Sequence, residues 1–360
     1  MIKLPLRLPL PRPKLPSGAF VPPPALARLQ RLLRGWRWPQ GFRLPPLPGG
    51  ISLWITLLSL GFLLAALFGH GRAMLQLSLD PQGWSWLVLG VGISLLSLLA
   101  NGLGLGVVLR WLDLRPRWLE LTQLYLATNL RKYLPGGIWH LSARVQHLRT
   151  PEGALQTPAP LGLALVGVLL DPLVAAVAAL SLTTLARWQG GLALLGLLPL
   201  LLLWPRWLTP LLRRLELRQA RRLQLDGELA VQGQDSLPPT LSRSLGGYPL
   251  LPLLVQLAFV LLRFAGFACC VLAFDLQASL SWPAWLAGFA LAWTAGLLVP
   301  GAPGGLGVFE ATLLLRLGSV IPEAPLLAIA LSYRLVVTLA DLLAAALVQL
   351  DGWIDQRVEA

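Results

Sequence analysis

Pro300-Gly-Ala-Pro-Gly-Gly-Leu-Gly-Val-Phe-Glu310 drops two prolines and four glycines into an otherwise continuous apolar stretch. The apolar run at 282–299 leads into it and the helix pattern at 306–317 leads out, so the break belongs at membrane depth. Backbone polar groups released there cannot face lipid, where each unsatisfied group costs several kcal/mol. The break must therefore line a cavity enclosed by protein or filled with water. Earlier in the chain, Tyr133-Leu-Pro-Gly-Gly-Ile-Trp-His-Leu-Ser-Ala-Arg144 repeats the idea. Pro135, Gly136 and Gly137 answer Pro303, Gly304 and Gly305. Two breaks in corresponding places point to a duplicated core of the transporter type.

The surroundings of both breaks set the fold class. Of 360 residues, 56% are hydrophobic and 12% charged, in Leu-dominated runs of about twenty residues, the length that spans a bilayer. This predicts an all-α polytopic membrane protein with six to eight transmembrane helices. A β-barrel would need short alternating segments, and these runs are solid. The net charge of +13 would suit nucleic acid if it were spread over a folded surface. It sits instead in loops and the N-terminal tail, the pattern of cytoplasmic segments, so no nucleic-acid partner is expected. Cys269 and Cys270 are neighbours in an apolar helix, which suits neither a disulfide framework nor a CxxC site. His70, His140 and His147 form no metal-ligand spacing, so neither a metal nor another cofactor is expected. The first apolar run starts near Ile51, and no cleavable signal peptide precedes it.

Residues 1–50 hold nine Lys or Arg and no acid, with proline throughout, a composition that cannot pack a core. Leu26, Leu29, Leu33 and Trp36 share one helical face there, with Arg28, Arg31, Arg34 and Arg37 elsewhere. The stretch is either a basic amphipathic helix on the anionic cytoplasmic leaflet or a variable tail whose charge only fixes topology. Full spans are predicted at 51–69, 84–109, 161–185, 190–208, 248–274 and 325–350, followed by a short tail at 351–360. The basic loops at 110–149 and 206–247 then lie with the N-terminus in the cytoplasm.

Two stretches remain, 118–149 and 282–318, each an apolar helix, a Pro-Gly-Gly break and a second short helix. The positive-inside pattern makes 118–149 a re-entrant hairpin from the cytoplasmic side. If 282–318 is its counterpart, the order span, hairpin, span at 84–185 recurs inverted at 248–350. The competing reading makes 282–299 a full span and puts the C-terminus outside.

Ionisable residues inside a membrane are costly enough to need partners or a cavity. Asp171, Arg263, Glu310, Arg334 and Asp341 all sit in apolar surroundings. Arg334, Thr338 and Asp341 form one stripe, Gln256 and Arg263 a second, and Ser94, Ser97 and Asn101 a third. The plain alternative is pairing that only holds helices in register, Arg334 with Asp341 or Glu310, and Arg263 with Asp171. A convergence of five charges on two breaks favours a polar translocation cavity. The short helices after Gly137 and Gly305 would add N-termini suited to an anion, with Glu310 well placed against the second.

At these residues the chain resembles the flippase-like membrane proteins that share the transmembrane region of lysylphosphatidylglycerol synthases, over approximately 50–350. Pro303-Gly-Gly-Leu-Gly-Val-Phe-Glu310 with Tyr333-Arg334-Leu335 looks like the family's second signature. Tyr133-Leu-Pro-Gly-Gly137 with Arg144 matches the first. The family's basic residue after the first Pro-Gly, and its Gly-Glu pair beyond, are replaced here by Gly137, Trp139 and His140. The resemblance implies a bacterial cytoplasmic membrane and movement of lipids between leaflets, anionic or aminoacylated phospholipids among them. It does not imply synthesis, which in such synthases belongs to a large soluble domain after the membrane region.

The expected mechanism slides a lipid headgroup through a hydrophilic groove while the acyl chains stay in the bilayer. Arg263 and Arg334 would receive the phosphate, and Asp171, Glu310 and Asp341 would balance charge or bind an amine. Two rivals stand beside it. A polyprenyl-dependent glycosyltransferase would need an external acid, and Asp80, the one acid in the first such loop, reads as a turn starter before Pro81. A non-transporting scaffold would dock a lipid-modifying enzyme on the tail or the basic loop.

Overall fold

The structure is a computed structural model that describes residues 79–134, 139–185, 194–222, 247–299 and 302–358. All belong to one compact unit starting at Gly49. The amphipathic face in 1–50, the span at 51–69, the loop at 223–246 and the break residues Pro135, Gly136 and Gly137 lie outside the described residues.

The described residues are helical apart from turns and one isolated bridge, Pro116 to Leu155. In chain order the helices are α1 (Pro81–Trp111), α2 (Trp118–Asn129), α3 (Trp139–Arg149), α4 (Leu161–Leu182), α5 (Leu198–Leu202), α6 (Pro205–Arg222), α7 (Leu250–Ala273), α8 (Trp282–Leu298), α9 (Val308–Leu317) and α10 (Glu323–Val358). By length and composition α1, α4, α7 and α10 each suffice to cross a membrane, and the pair at 194–212, bent by 69°, adds a fifth if it is counted as one span. These four long helices cover the spans expected at 84–109, 161–185, 248–274 and 325–350.

Two expectations change. The span expected at 190–208 is not one straight helix: α5 ends at Leu202, and the chain turns by 69° before α6. Pro205 is the cause, because a proline disfavours helical backbone in the residue before it. The tail expected at 351–360 is for the most part helix, since α10 continues to Val358.

Small residues decide how the long helices meet. The α1–α7 seam brings Gly83 to the Ala273 carbonyl, Gly90 to Cys269 and Gly266, and Gly104 to Val255 and Gln256, so the two helices run antiparallel at close range. Without a hydrophobic drive between helices in lipid, such close backbone approach supplies the packing. Gly102 and Gly106 open the other side of α1 to Thr122, Tyr125 and Trp118 of α2. Gly90 meets Val336, while Leu98 clusters with Ala340 and Ala344, so α10 runs parallel to α1.

Two units flank the breaks, α2 with α3 and α8 with α9. Before α2 and after α3 the chain is zipped together by Arg117 N–H to Ala154 O (3.0 Å) and Gln156 N–H to Arg115 O (2.9 Å). In the second unit α8 and α9 are antiparallel, with Gly288 against Leu317 and Gly296 against Gly305 and Phe309. Its open end packs with the C-terminal end of α7 in a cluster that holds Phe267, Trp285, Phe289, Phe309, Leu317, Ile321 and Tyr333. The tips of the two units touch. Tyr133, in the short 3-10 turn Leu130–Tyr133, packs on Gly304 in the turn Pro303–Gly305.

Candidate functional site

Three polar groups meet around those tips. The first holds the second break. Gly304, Gly305 and Gly307 have φ of 59°, 71° and 79°, a region that side-chain-bearing residues rarely adopt. The turn leaves carbonyls without helical partners, and Arg334 takes them up: its guanidinium donates to the Gly304 carbonyl and, at 2.5 Å, to the Gly305 carbonyl. Its Nε donates to Glu310 Oε1 at 2.7 Å, and the other Glu310 oxygen accepts the Gly307 N–H at 2.7 Å. Glu310 is fully buried and caps the start of α9. The helix N-terminus expected to receive an anion is thus occupied by the protein's own carboxylate. Arg334, expected to meet a phosphate, is directed at Glu310 and the break.

The second group ties the first unit to α10. Asp341, also fully buried, accepts from Asn129 Nδ2 (2.7 Å) and the Tyr133 hydroxyl (2.6 Å), and forms an ion pair with Lys132 Nζ (2.6 Å). Thr338, one turn earlier on α10, faces the same hydroxyl at 3.5 Å. The Arg334, Thr338, Asp341 stripe is therefore real but divided: Arg334 serves the second break and Asp341 the first.

The third group crosses the bundle. Asp171 accepts from Gln256 Nε2 at 2.6 Å, which also donates to Asn101 Oδ1 at 3.0 Å. Asn101 donates in turn to the Tyr125 hydroxyl. Arg144 stacks on the Tyr125 ring with its guanidinium 3.8 Å from the centroid, and donates from Nε to Thr128 Oγ1 at 3.1 Å. Asp171 is within electrostatic reach of Arg144, and its hydrogen bond goes to Gln256 rather than to Arg263. A direct Asp171–Arg263 pair is not what holds these helices.

Arg263 lies between the groups. It is buried over the Phe259 ring and within electrostatic reach of Asp341, Tyr125, Tyr133 and Tyr333, yet its Nε and one terminal nitrogen meet no hydrogen-bond acceptor in the protein. Arg144 keeps one terminal nitrogen in the same condition. Native proteins rarely leave buried donors so, and each one asks for an explanation.

Lys132, Asn129 and Tyr125 were not singled out by the sequence. Lys132 counted only among the charges of a cytoplasmic loop, and Arg144 both there and among the candidate substrate-binding residues; both side chains turn inward. A signal was present, because Tyr125, Asn129 and Lys132 fall at i, i+4 and i+7, one helical face leading into the first break.

Among the described residues no cluster of His, Cys, Asp and Glu suits a metal. No match to the chain was found among curated proteins. Residues 49–345 match the family described as the lysylphosphatidylglycerol synthase TM region, and with most of its length inside that match the chain belongs to this family of membrane proteins.

Proposed function

We propose that the protein is a lipid translocase of the bacterial cytoplasmic membrane, without catalytic chemistry of its own, that passes a phospholipid headgroup between leaflets along a polar groove. The observation that carries this reading is the contact between Tyr133 and Gly304 within a belt of seven buried or half-buried ionisable side chains: Lys132, Arg144, Asp171, Arg263, Glu310, Arg334 and Asp341. Charges at such depth are costly, and in membrane proteins they mark pathways.

The helix directions support two re-entrant hairpins. With α1 antiparallel to α7 and parallel to α10, the chain between α7 and α10 leaves and returns on one side, as the zipped ends at 115–117 and 154–156 make it do between α1 and α4. The hairpins then enter from opposite leaflets and meet at mid-depth. An inverted repeat accounts for the pairings: α1 packs on α10 as α7 packs on α4, and α2 packs on α10 as α8 packs on α4. The tip-to-tip contact would lie on the axis relating the two halves.

In this mechanism the touching tips are the barrier. A headgroup crosses when Tyr133 and Gly304 part, the latch at Asp341 holding the first tip and the Arg334–Glu310 clamp the second. The N-terminus stays in the cytoplasm and the acyl chains stay in the bilayer.

Reconstitution into liposomes tests the reading, by following the transbilayer movement of headgroup-labelled lipids beside the variants Glu310→Gln and Arg334→Ala. Movement in the wild type and its loss in folded variants is the expected result. Absence of movement for anionic, zwitterionic and lysyl-bearing lipids alike, in folded protein, would overturn it.

A further inference from the structure

We propose that Asp341 changes partners as the protein works: when the first tip withdraws from α10, Arg263 takes over the carboxylate from Lys132. This rests on the translocase reading for what the motion serves, and on separate observations for the exchange itself.

The three donors on Asp341 come from one short segment. Asn129 ends α2, and Lys132 and Tyr133 lie in the turn Leu130–Tyr133 that follows it. Lys132 and Tyr133 share Oδ2, each at 2.6 Å, while Asn129 occupies Oδ1 at 2.7 Å. If this segment moves away, the carboxylate loses its ion pair and its hydrogen bonds in one step. A fully buried carboxylate stays charged without a partner only at high cost, so the withdrawn state needs another cation.

The belt offers one for the exchange. Lys132 and Arg144 belong to the first unit and move with it. Arg334 is bonded to Glu310 and to two carbonyls of the second break. Arg263 stands on α7, outside both units, and is more than nine-tenths buried with Nε and one terminal nitrogen lacking an acceptor.

Helix register brings its charge to the level of Asp341. Phe267 of α7 meets Tyr333 of α10 with ring centroids 5.5 Å apart, and the two helices are antiparallel, since α1 opposes α7 and runs with α10. From that contact Phe259 lies eight residues back on α7 and Asp341 eight residues on along α10, about 12 Å toward the same end of the bundle in both cases. The Arg263 guanidinium sits over the Phe259 ring, 5.6 Å from its centroid, so the side chain leans from its own position toward that level. There it is within electrostatic reach of both Asp341 and Lys132. Two cations thus face one carboxylate, Lys132 bonded to it and Arg263 not.

Thermal unfolding of the full chain in lipid-free detergent tests the exchange apart from transport. The background Lys132→Met with Tyr133→Phe frees Asp341 Oδ2 without touching α7. Arg263→Met is expected to raise the unfolding midpoint of the wild type by about 2–4 °C and to lower that of the background by a similar amount. Arg263→Lys should spare part of that loss, and adding Asp341→Asn to the background should make Arg263→Met stabilising again. Should the background not fold, Lys132→Met alone takes its place, with the same signs expected. An effect of Arg263→Met with one sign in wild type and background, or a destabilising effect that survives Asp341→Asn, would overturn the proposal. Sign reversal in a protein that moves no lipid in liposomes would sink the translocase reading and leave the exchange standing. Lipid movement without sign reversal would do the opposite.

Discussion

Tyr133 lies so close to Gly304 that a Cβ built on the glycine would stand 2.8 Å from the ring, and the contact joins two breaks separated by more than 160 residues of chain. Neither glycine after Pro303 can therefore be exchanged freely. Their neighbours differ, however: a Cβ on Gly304 would meet a side chain, and one on Gly305 would stand 2.8 Å from the backbone of Gly296. A ring can shift and a helix backbone cannot. Gly304→Ala should cost about 1–2 kcal/mol, from the positive φ and a displaced ring, and Gly305→Ala distinctly more. Thermal unfolding in detergent checks the order, and an equal or reversed order would show that the tips are not packed this way.

The latch between the first tip and α10 gives a sharper cycle. Asp341→Asn leaves Lys132 without the acid it now pairs with, and breaking such a pair in a low-dielectric setting costs about 3 kcal/mol. Lys132→Met alone leaves Asp341 with its two neutral donors, Asn129 and Tyr133. The double variant Lys132→Met with Asp341→Asn should recover most of the stability lost in Asp341→Asn. Additive losses in the cycle would mean that the two side chains do not interact.

Arg334 donates from three nitrogens held apart in one plane, and lysine has a single nitrogen. Arg334→Lys keeps the charge opposite Glu310 but cannot hold the Gly304 and Gly305 carbonyls at the same time. A loss of about 2 kcal/mol is expected, accompanied by slower lipid movement. A lysine variant with wild-type stability would show that the break carbonyls find other partners.

Much of this was legible in the chain because solid apolar runs and proline breaks leave little freedom. The spans at α1, α4, α7 and α10 follow from length and hydropathy alone, and Glu310 and Arg334 announce themselves as charges in apolar surroundings. Lys132 was harder, since a basic residue near other basic residues reads as a solvated loop charge, and its inward turn depends on Asp341 more than 200 residues away. The choice between the two acids named for Arg334, Asp341 and Glu310, was equally hidden. Spacing along one helix offers Asp341 seven residues on, whereas the true acceptors lie on α9 and in a turn whose glycine dihedrals no periodicity encodes. The bend before α6 was missed for a different reason, because Pro205 follows a run of leucines that satisfies any hydropathy window.

Arg263 should be a residue that the fold would be better without. A buried guanidinium with two donors unmatched by the protein is destabilising, and Arg263→Met replaces it by an apolar chain of similar length. In lipid-free detergent the variant is expected to be more stable than the wild type by about 1–3 kcal/mol, while lipid movement is lost. A variant less stable than the wild type would mean that Arg263 is a structural partner in the resting protein.

If the four long helices cross the membrane as proposed, their directions set which loops share a side, and labelling reads this directly. Native Cys269 and Cys270 are buried and replaceable by alanine, leaving a background for single cysteines. Ser279 lies before α8 and Ser319 after α9, both exposed, while Arg115 and Glu152 flank α2 and α3. If both units return to the side they left, Ser279→Cys and Ser319→Cys will react with an impermeant maleimide from one face. Arg115→Cys and Glu152→Cys will react together from the other. Were α8 a full crossing, Ser279→Cys and Ser319→Cys would label from opposite faces, and α10 would have to run against α1. The parallel packing of Gly90 on Val336, and of Leu98 with Ala340 and Ala344, would then be impossible, so one pair of cysteines tests the topology and the packing together.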